Sequence, residues 1–286
     1  MKFSIITICF NPGSLVLSAV ESVLGQSYKD VEYIVVDGGS SDGAVEWLSE
    51  MAAKEPRMTL VSEPDDGLYD ALNKGVRLAT GDVIGFVHAD DFLAHPDVLL
   101  HVAERFLDAN VEAVYGDLQY ITGRQELGRA EVGGGCRRSE EPHGKTTALD
   151  SPFDRSDSVI RYWRSGEYSR RKLAWGWMPP HPALYLKRDV YDRAMMENGE
   201  YFDSSFRCAA DYDLMMRVLS KLNVCPEYLP EVLVKMRMGG VSNRSLRHII
   251  RKSREDWRAI RRNKIGHFHT LLGKNFGKLS QFLRNS

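Results

Sequence analysis

The chain has 286 residues, 43% hydrophobic and 10% aromatic, and a formal net charge of −1. This is enough apolar mass for a real core, as one large domain or one domain with appendages. No apolar run approaches the ~20 residues of a membrane-spanning helix. The scattered cysteines Cys9, Cys136, Cys208 and Cys225 argue for a reduced compartment and against a structural zinc site.

Charge is unevenly spread. Residues 1–120 hold about 7 basic and 20 acidic side chains, whereas residues 244–286 hold about 12 basic and 2 acidic. An acidic front suits carboxylates that bind a metal, and a basic tail suits an anionic surface.

Met1–Phe10 is apolar but short, without a sizeable basic region or a small-residue cleavage site, so it is expected to be a first strand and not a signal peptide. Phe3–Cys9 is continuous and β-branched, as in a strand buried on both faces. Asn11-Pro12-Gly13 breaks it, and Leu15, Ala19, Val20, Val23 and Leu24 follow at helical spacing. Glu32–Val36 is a second strand, with Asp42 expected to cap the next helix. Met58–Ser62, Asp82–Val87 and Glu112–Tyr120 read as further strands, and Asp70–Ala79 and Asp97–Ala109 as helices between them. Such alternation predicts a largely parallel sheet wrapped by helices. Residues 124–157 read as an inserted, mobile loop. Beyond it, Ala183–Leu186 and Glu231–Met236 are expected strands, Asp189–Asn198 and Ala210–Leu222 expected helices, and the tail from Ser245 is helical in character.

The polar residues sit at strand ends, where an open α/β sheet forms its binding crevice. Asp37 closes a strand and enters a Gly/Ser turn, where it can serve a nucleobase or ribose or simply cap the turn. Tyr69, Asp70, Asn73 and Lys74 share one helix face a turn apart. Asp90 and Asp91 follow the apolar run Val83–Val87, a placement that suits a divalent cation holding a diphosphate. His88 is either a ligand or phosphate contact or a packed histidine. Asp211 is either an N-cap or a site acid. His181, among prolines after Trp175 and Trp177, is either structured loop or acceptor wall.

The ordered set Asn11-Pro12, Val36-Asp-Gly-Gly-Ser-Ser-Asp-Gly43, Glu63-Pro-Asp-Asp-Gly-Leu-Tyr-Asp70, Asn73-Lys-Gly75, Ala79-Thr-Gly-Asp82, His88-Ala-Asp-Asp91 and Ala210-Asp-Tyr-Asp-Leu214 resembles family 2 glycosyltransferases of the GT-A fold. The subgroup resembled is bacterial enzymes of exopolysaccharide, capsule, colanic-acid-type or O-antigen synthesis. The resemblance implies a Rossmann-like, mostly parallel sheet flanked by helices over residues 1–243, and a basic helical extension over 244–286. It implies a nucleotide-diphosphate-sugar donor, UDP-sugar favoured, with Mg²⁺ or Mn²⁺. By that resemblance Asp37 meets the base, Asp66 lies in the donor pocket with Asn11, Tyr69, Asn73, His88 and Ala89, and Asp90 holds the metal. Asp211 is the base of an inverting transfer. Asp91, Trp177 and His181 would meet a glycan or lipid-linked acceptor. Two positions depart from the family pattern: His88 stands where the first Asp of the metal motif is usual, and Ala210 where Glu is usual. The expected location is cytoplasmic, peripheral at the inner face of the plasma membrane through the basic tail, with no nucleic acid as partner. The alternatives are a sugar nucleotidyltransferase, against which the lack of a basic residue in Phe10-Asn-Pro-Gly-Ser-Leu15 argues, and a non-catalytic nucleotide-sugar binder.

Overall fold

The computed structural model describes residues 1–122, 153, 158–237, 246–266 and 268–276. Apart from Phe153, residues 124–157, expected to be an inserted loop, lie outside them.

The first half of the sheet follows the sequence closely. β1 (Phe3–Cys9), β2 (Val31–Asp37), β3 (Met58–Ser62) and β4 (Val83–Phe86) are all parallel, in the order β3-β2-β1-β4. Their period-2 side chains divide between two cores. Ile6, Ile8, Ile34 and Val36 enter one, and Phe3, Ile5, Tyr33 and Val35 the other. Helix α3 (Leu68–Leu78) covers the first face through Leu72 and Val76, while α1 (Val16–Leu24), α2 (Ala44–Lys54) and α4 (Val98–Arg105) cover the second. α3 begins two residues earlier than the periodicity predicts, behind Gly67 at φ 114°.

The second half departs from a parallel pattern. β5 (Asp91–Leu93), β6 (Ala113–Ile121), β7 (Val159–Trp163), β8 (Leu184–Lys187) and β9 (Glu227–Arg237) extend the order as β4-β8-β6-β9-β5. Here β4–β8, β6–β8, β6–β7 and β5–β9 are antiparallel and β6–β9 is parallel. β9 is 11 residues long, beyond its apolar centre, because it pairs with both β6 and β5.

α5 (Arg170–Ala174) and α6 (Arg188–Ala194) precede α7 (Ala210–Met216), which widens into a π turn over Arg217–Lys221. The basic tail forms α8 (Leu246–Asn263) and α9 (Phe268–Phe276). Ala259, Ile260 and Ile265 join the same core as Tyr212 and Leu214, so these helices pack on α7. Close approach fixes the packing of α9: at Gly176 (φ +86°) a Cβ would lie 2.3 Å from the Thr270 carbonyl oxygen, and at Gly273 one would lie 2.0 Å from that of Trp175.

Candidate active site

The carboxyl ends of β1, β2 and β3 meet at one edge, where Cys9, Asp37 and Ser62 are register partners. Asp37 is fully buried. Its Oδ2 accepts the Gly39 and Ser40 N–H groups at 3.0 and 2.9 Å and the Ser62 hydroxyl at 2.7 Å, and its Oδ1 accepts the Ser40 hydroxyl. Burial pushes its pKa up, but the Ser40, Ser62 and Gly39 donors outweigh that and leave it below the usual carboxylate value. The carboxylate therefore organises its own turn. Asn11, with φ 47°, joins in: its N–H donates to the Ser40 hydroxyl at 2.7 Å and its Oδ1 accepts the Ser41 N–H at 2.8 Å.

The 63–74 segment leans over this edge. A Cβ at Gly38 would lie 2.4 Å from Asp65 Oδ2, so Asp65 is the acid set against the Asp37 turn, and Asp66 is exposed. Lys74 closes the loop by pairing with Glu63 at 3.0 Å and Asp70 at 3.2 Å. Asn73 has a different task from donor contact. Its amide donates to the Phe202 carbonyl at 2.8 Å and accepts the Tyr201 and Phe202 N–H groups at 2.9 Å each, in a buried position. It splices α3 to the segment that leads into α7.

Beyond β4 the chain turns through 88–91, closed by the Asp91 N–H on the His88 carbonyl at 3.0 Å. His88, Ala89 and Asp90 are half-buried. Asp91 is fully buried, and neither of its oxygens has a hydrogen-bond partner among the described residues. Burial and the Asp90 charge push its pKa well above the carboxylate range, against Arg237. The expectation that Asp91 faces an acceptor is corrected here: Asp91 opens β5, and all three residues of that strand are buried. Arg237, at the end of β9, spans the turn, donating to the Asp90 carbonyl at 3.3 Å and to Ser18 Oγ at 2.8 Å.

Asp211 lies half-buried in the first turn of α7, where the helix dipole favours an ionised carboxylate. Its Oδ1 accepts the Tyr69 hydroxyl at 3.2 Å, and Tyr69 is itself stacked on Phe202 at 6.2 Å. Tyr69 thus belongs to the Asp211 side of the site. His181 is buried against Phe86 and Phe202, with ring centroids at 5.0 and 5.8 Å, and lies 6.1 Å from the His88 ring. Burial lowers its pKa to about 4, against the charge of Asp211 and with that of His88. Burial likewise lowers the His88 pKa, against the charges of Asp90 and Asp211.

Trp177 is held from within, donating to the Ser165 carbonyl at 2.7 Å and packing on Tyr115 and Tyr168. The outward ring is Trp175, 59% exposed and beside His269 at 5.0 Å.

Several supports of Asp211 come from the tail and were missed in the sequence. Glu255 on α8 accepts the Arg207 N–H at 3.1 Å and the Cys208 N–H at 2.7 Å, fixing the approach to α7. Asn263 donates to buried Asp213 at 2.8 Å, and Arg217 pairs with it at 3.0 Å. Lys274 pairs with Asp256 at 2.5 Å and lies 3.2 Å from the Tyr212 ring centroid. The available signal was Glu255-Asp256, an acidic pair inside an arginine- and lysine-rich run.

Residues 4–131 match the model of glycosyl transferase family 2. An uncharacterised glycosyltransferase of Mycobacterium tuberculosis is 43% identical over 103 residues, 35% of this chain and 38% of that one. A PGL/p-HBAD biosynthesis glycosyltransferase of Mycobacterium bovis is 36% identical over 119 residues, 41% of this chain and 46% of that one. The matches thus span less than half of these relatives. Among solved structures, Staphylococcus aureus TarS 1–349 superposes with a TM-score of 0.63 at 16% identity, covering 98% of this chain and 72% of that one. The mannosyltransferase PcManGT of Pyrobaculum calidifontis, in complex with GDP-Man and Mn²⁺, superposes with a TM-score of 0.60 at 18% identity, covering 98% and 70%. Residues 4–131 thus carry the glycosyl transferase family 2 match, and the chain shares the fold of TarS 1–349 and PcManGT.

Proposed function

We propose that the protein is an inverting glycosyltransferase that moves a sugar from a nucleoside-diphosphate sugar, a UDP-sugar by preference, to a glycan or lipid-linked acceptor in cell-surface polysaccharide synthesis. The observation that carries this is the hydrogen bond from Tyr69 on α3 to Asp211 in the first turn of α7, which joins the 63–74 segment to the helix start. TarS 1–349, solved in complex with UDP-GlcNAc, shares the fold, with a TM-score of 0.61 at 16% identity.

In this reading Asp211 takes the proton from the acceptor hydroxyl as that oxygen attacks the anomeric carbon, and the bond to the departing nucleoside diphosphate breaks on the opposite face. Tyr69 aims the carboxylate. The Asp37 turn and the 63–70 loop bound the donor side with Asn11 and Asp66. The donor set at the 88–91 turn fits a hard divalent ion. With Asp91 turned inward, it offers one carboxylate, Asp90, beside His88, and Mg²⁺ or Mn²⁺ bound this way takes the rest of its shell from substrate phosphate and water. When bound, that ion supplies charge stabilisation for the leaving diphosphate.

The tail supports contact with an anionic membrane. The docked face of α8 is apolar and acidic, while Arg251, Arg254 and Arg261 are exposed; Arg258, though exposed, is engaged with Ser205 and the Phe206 ring. Among the described residues no helix is long and apolar enough to cross a membrane.

The test is a panel of nucleotide sugars, with and without acceptors, read by nucleoside diphosphate release and by the anomeric configuration of the product. Acceptor-dependent release with inversion is expected, abolished in Asp211→Asn. Pyrophosphate formation from a sugar phosphate would identify a nucleotidyltransferase, and donor binding without turnover a non-catalytic binder.

A further inference from the structure

A second cluster lies at the other end of β5 from Asp90. Asp91 pairs with Met236 in the β5–β9 ladder, so Glu231 is five residues down β9, roughly 17 Å along the strand. There the Ala94 N–H donates to the Leu233 carbonyl at 3.0 Å and delivers His95 beside Glu231, while α4 brings His101 from above. One ligand atom from each of His95, His101 and Glu231 lies within 4.8 Å of the others. His101 Nδ1 is 2.9 Å from Glu231 Oε2, and His95 Nε2 is 2.6 Å from Oε1. The latter nitrogen is buried and makes no well-directed hydrogen bond despite its closeness. The backbone here is held in advance: Gln26 donates to the His95 carbonyl at 2.9 Å and accepts the Leu99 N–H at 3.0 Å, and the Pro96 carbonyl accepts the Ser27 N–H at 2.8 Å.

We infer that His95, His101 and Glu231 form a binding site for a Zn²⁺-class divalent ion, distinct from the Asp90 site, that clamps α4 to β9. Two imidazoles and one carboxylate form a donor set that borderline ions take in preference to Mg²⁺. Tetrahedral bonds of 2.0–2.2 Å put ligand atoms about 3.3 Å apart, so the contacts of His95 and His101 with Glu231, now 2.6 and 2.9 Å, need open by well under 1 Å. All three side chains are partly exposed, which leaves the fourth position to water. Metal on His95 Nε2 makes Nδ1 the protonated nitrogen, and its long 3.3 Å contact with the Asp97 N–H is given up. This set contains no cysteine, so the scattered cysteines of the chain do not bear on it.

The test uses EDTA-treated, dialysed full-length protein titrated with ZnCl₂ by calorimetry and thermal unfolding. One equivalent is expected, with the midpoint rising by roughly 5 °C at saturation, no competition from MgCl₂, loss in His95→Gln and in His101→Gln, and retention in Asp90→Ala. Where a histidine variant fails to fold, Co²⁺ titration of the wild type followed by NMR decides, and the His95 and His101 ring signals should shift together. No zinc binding by the wild type, binding that survives both folded histidine variants, binding lost in Asp90→Ala, or Co²⁺ shifts elsewhere would each overturn the assignment.

Discussion

The hydroxyl of Tyr69 on α3 donates to Oδ1 of Asp211 on α7 at 3.2 Å, joining residues 142 positions apart. Tyr69 belongs to the motif-rich first half of the chain and Asp211 to the second, so this bond is where the two halves of the proposed site register. Tyr69→Phe removes it and leaves the ring stacked on Phe202. A loss of about 1 kcal/mol of positioning corresponds to a roughly 5- to 10-fold fall in kcat with the donor KM little changed. A fall confined to KM would refute the role.

Asp211→Asn keeps the shape of the α7 turn and removes the base. The expected result is a loss of about 10²- to 10⁴-fold in kcat, with donor affinity by calorimetry within a few-fold of wild type. Full turnover in a folded variant would remove Asp211 from the reaction.

Asp90→Ala separates the metal role from the acid role. Donor binding by wild type should weaken at least ~10-fold in EDTA, while the variant should bind weakly with or without chelator. Equal donor affinity in all four conditions would end the metal assignment.

Asn73→Ala tests a structural role against a donor role. Three hydrogen bonds to the 201–202 backbone are lost in a buried place, so unfolding should cost about 2–3 kcal/mol less than in wild type. At temperatures where the variant is folded, its donor KM should match the parent. A raised KM at unchanged stability would return Asn73 to the donor pocket.

Glu32 supplies a pH-dependent term. On β2 it pairs with Lys2 at 2.5 Å and accepts donors from Ser4, Thr80 and Gly81. Burial pushes its pKa up, but the Lys2, Ser4 and Thr80 bonds hold it at about 2, against 4.5 in the unfolded chain. A depressed folded pKa gives stability that is full above pH 4.5 and lost as pH falls towards 2. After allowance for solvent screening the term is of order 1–2 kcal/mol. Chemical denaturation from pH 7 to 3 should show a shallower acid decline in Glu32→Gln; parallel curves would contradict it.

Much of the fold was legible because β-branched runs and amphipathic spacing report directly on burial. Phe3–Cys9 and Met58–Ser62 are strands with the expected limits. β5 was not legible, because three residues after a carboxylate pair carry no period, and its existence depends on pairing with β9. α6 ends at Ala194, short of the expected Asn198, because the Met196 N–H turns to the Glu200 carbonyl at 2.9 Å. In the proposed site, motif order singles out Asp37, Asp90 and Asp211, but not which neighbours satisfy them. Asp91 and Asn73 look as polar as any site residue in one dimension. Only the burial of β5 and the run of the 201–202 backbone distinguish them.

The grip of Glu255 on the Arg207 and Cys208 amides has a consequence for how such chains can be recombined. Residues 4–131 contain Asp37 and Asp90 but not Asp211, whose helix is braced from α8. Transplanting the front segment alone between relatives would carry the donor-side groups and leave the opposing carboxylate, with its brace, to the recipient. Whether such a hybrid turns over would then depend on a glutamate more than a hundred residues beyond the splice.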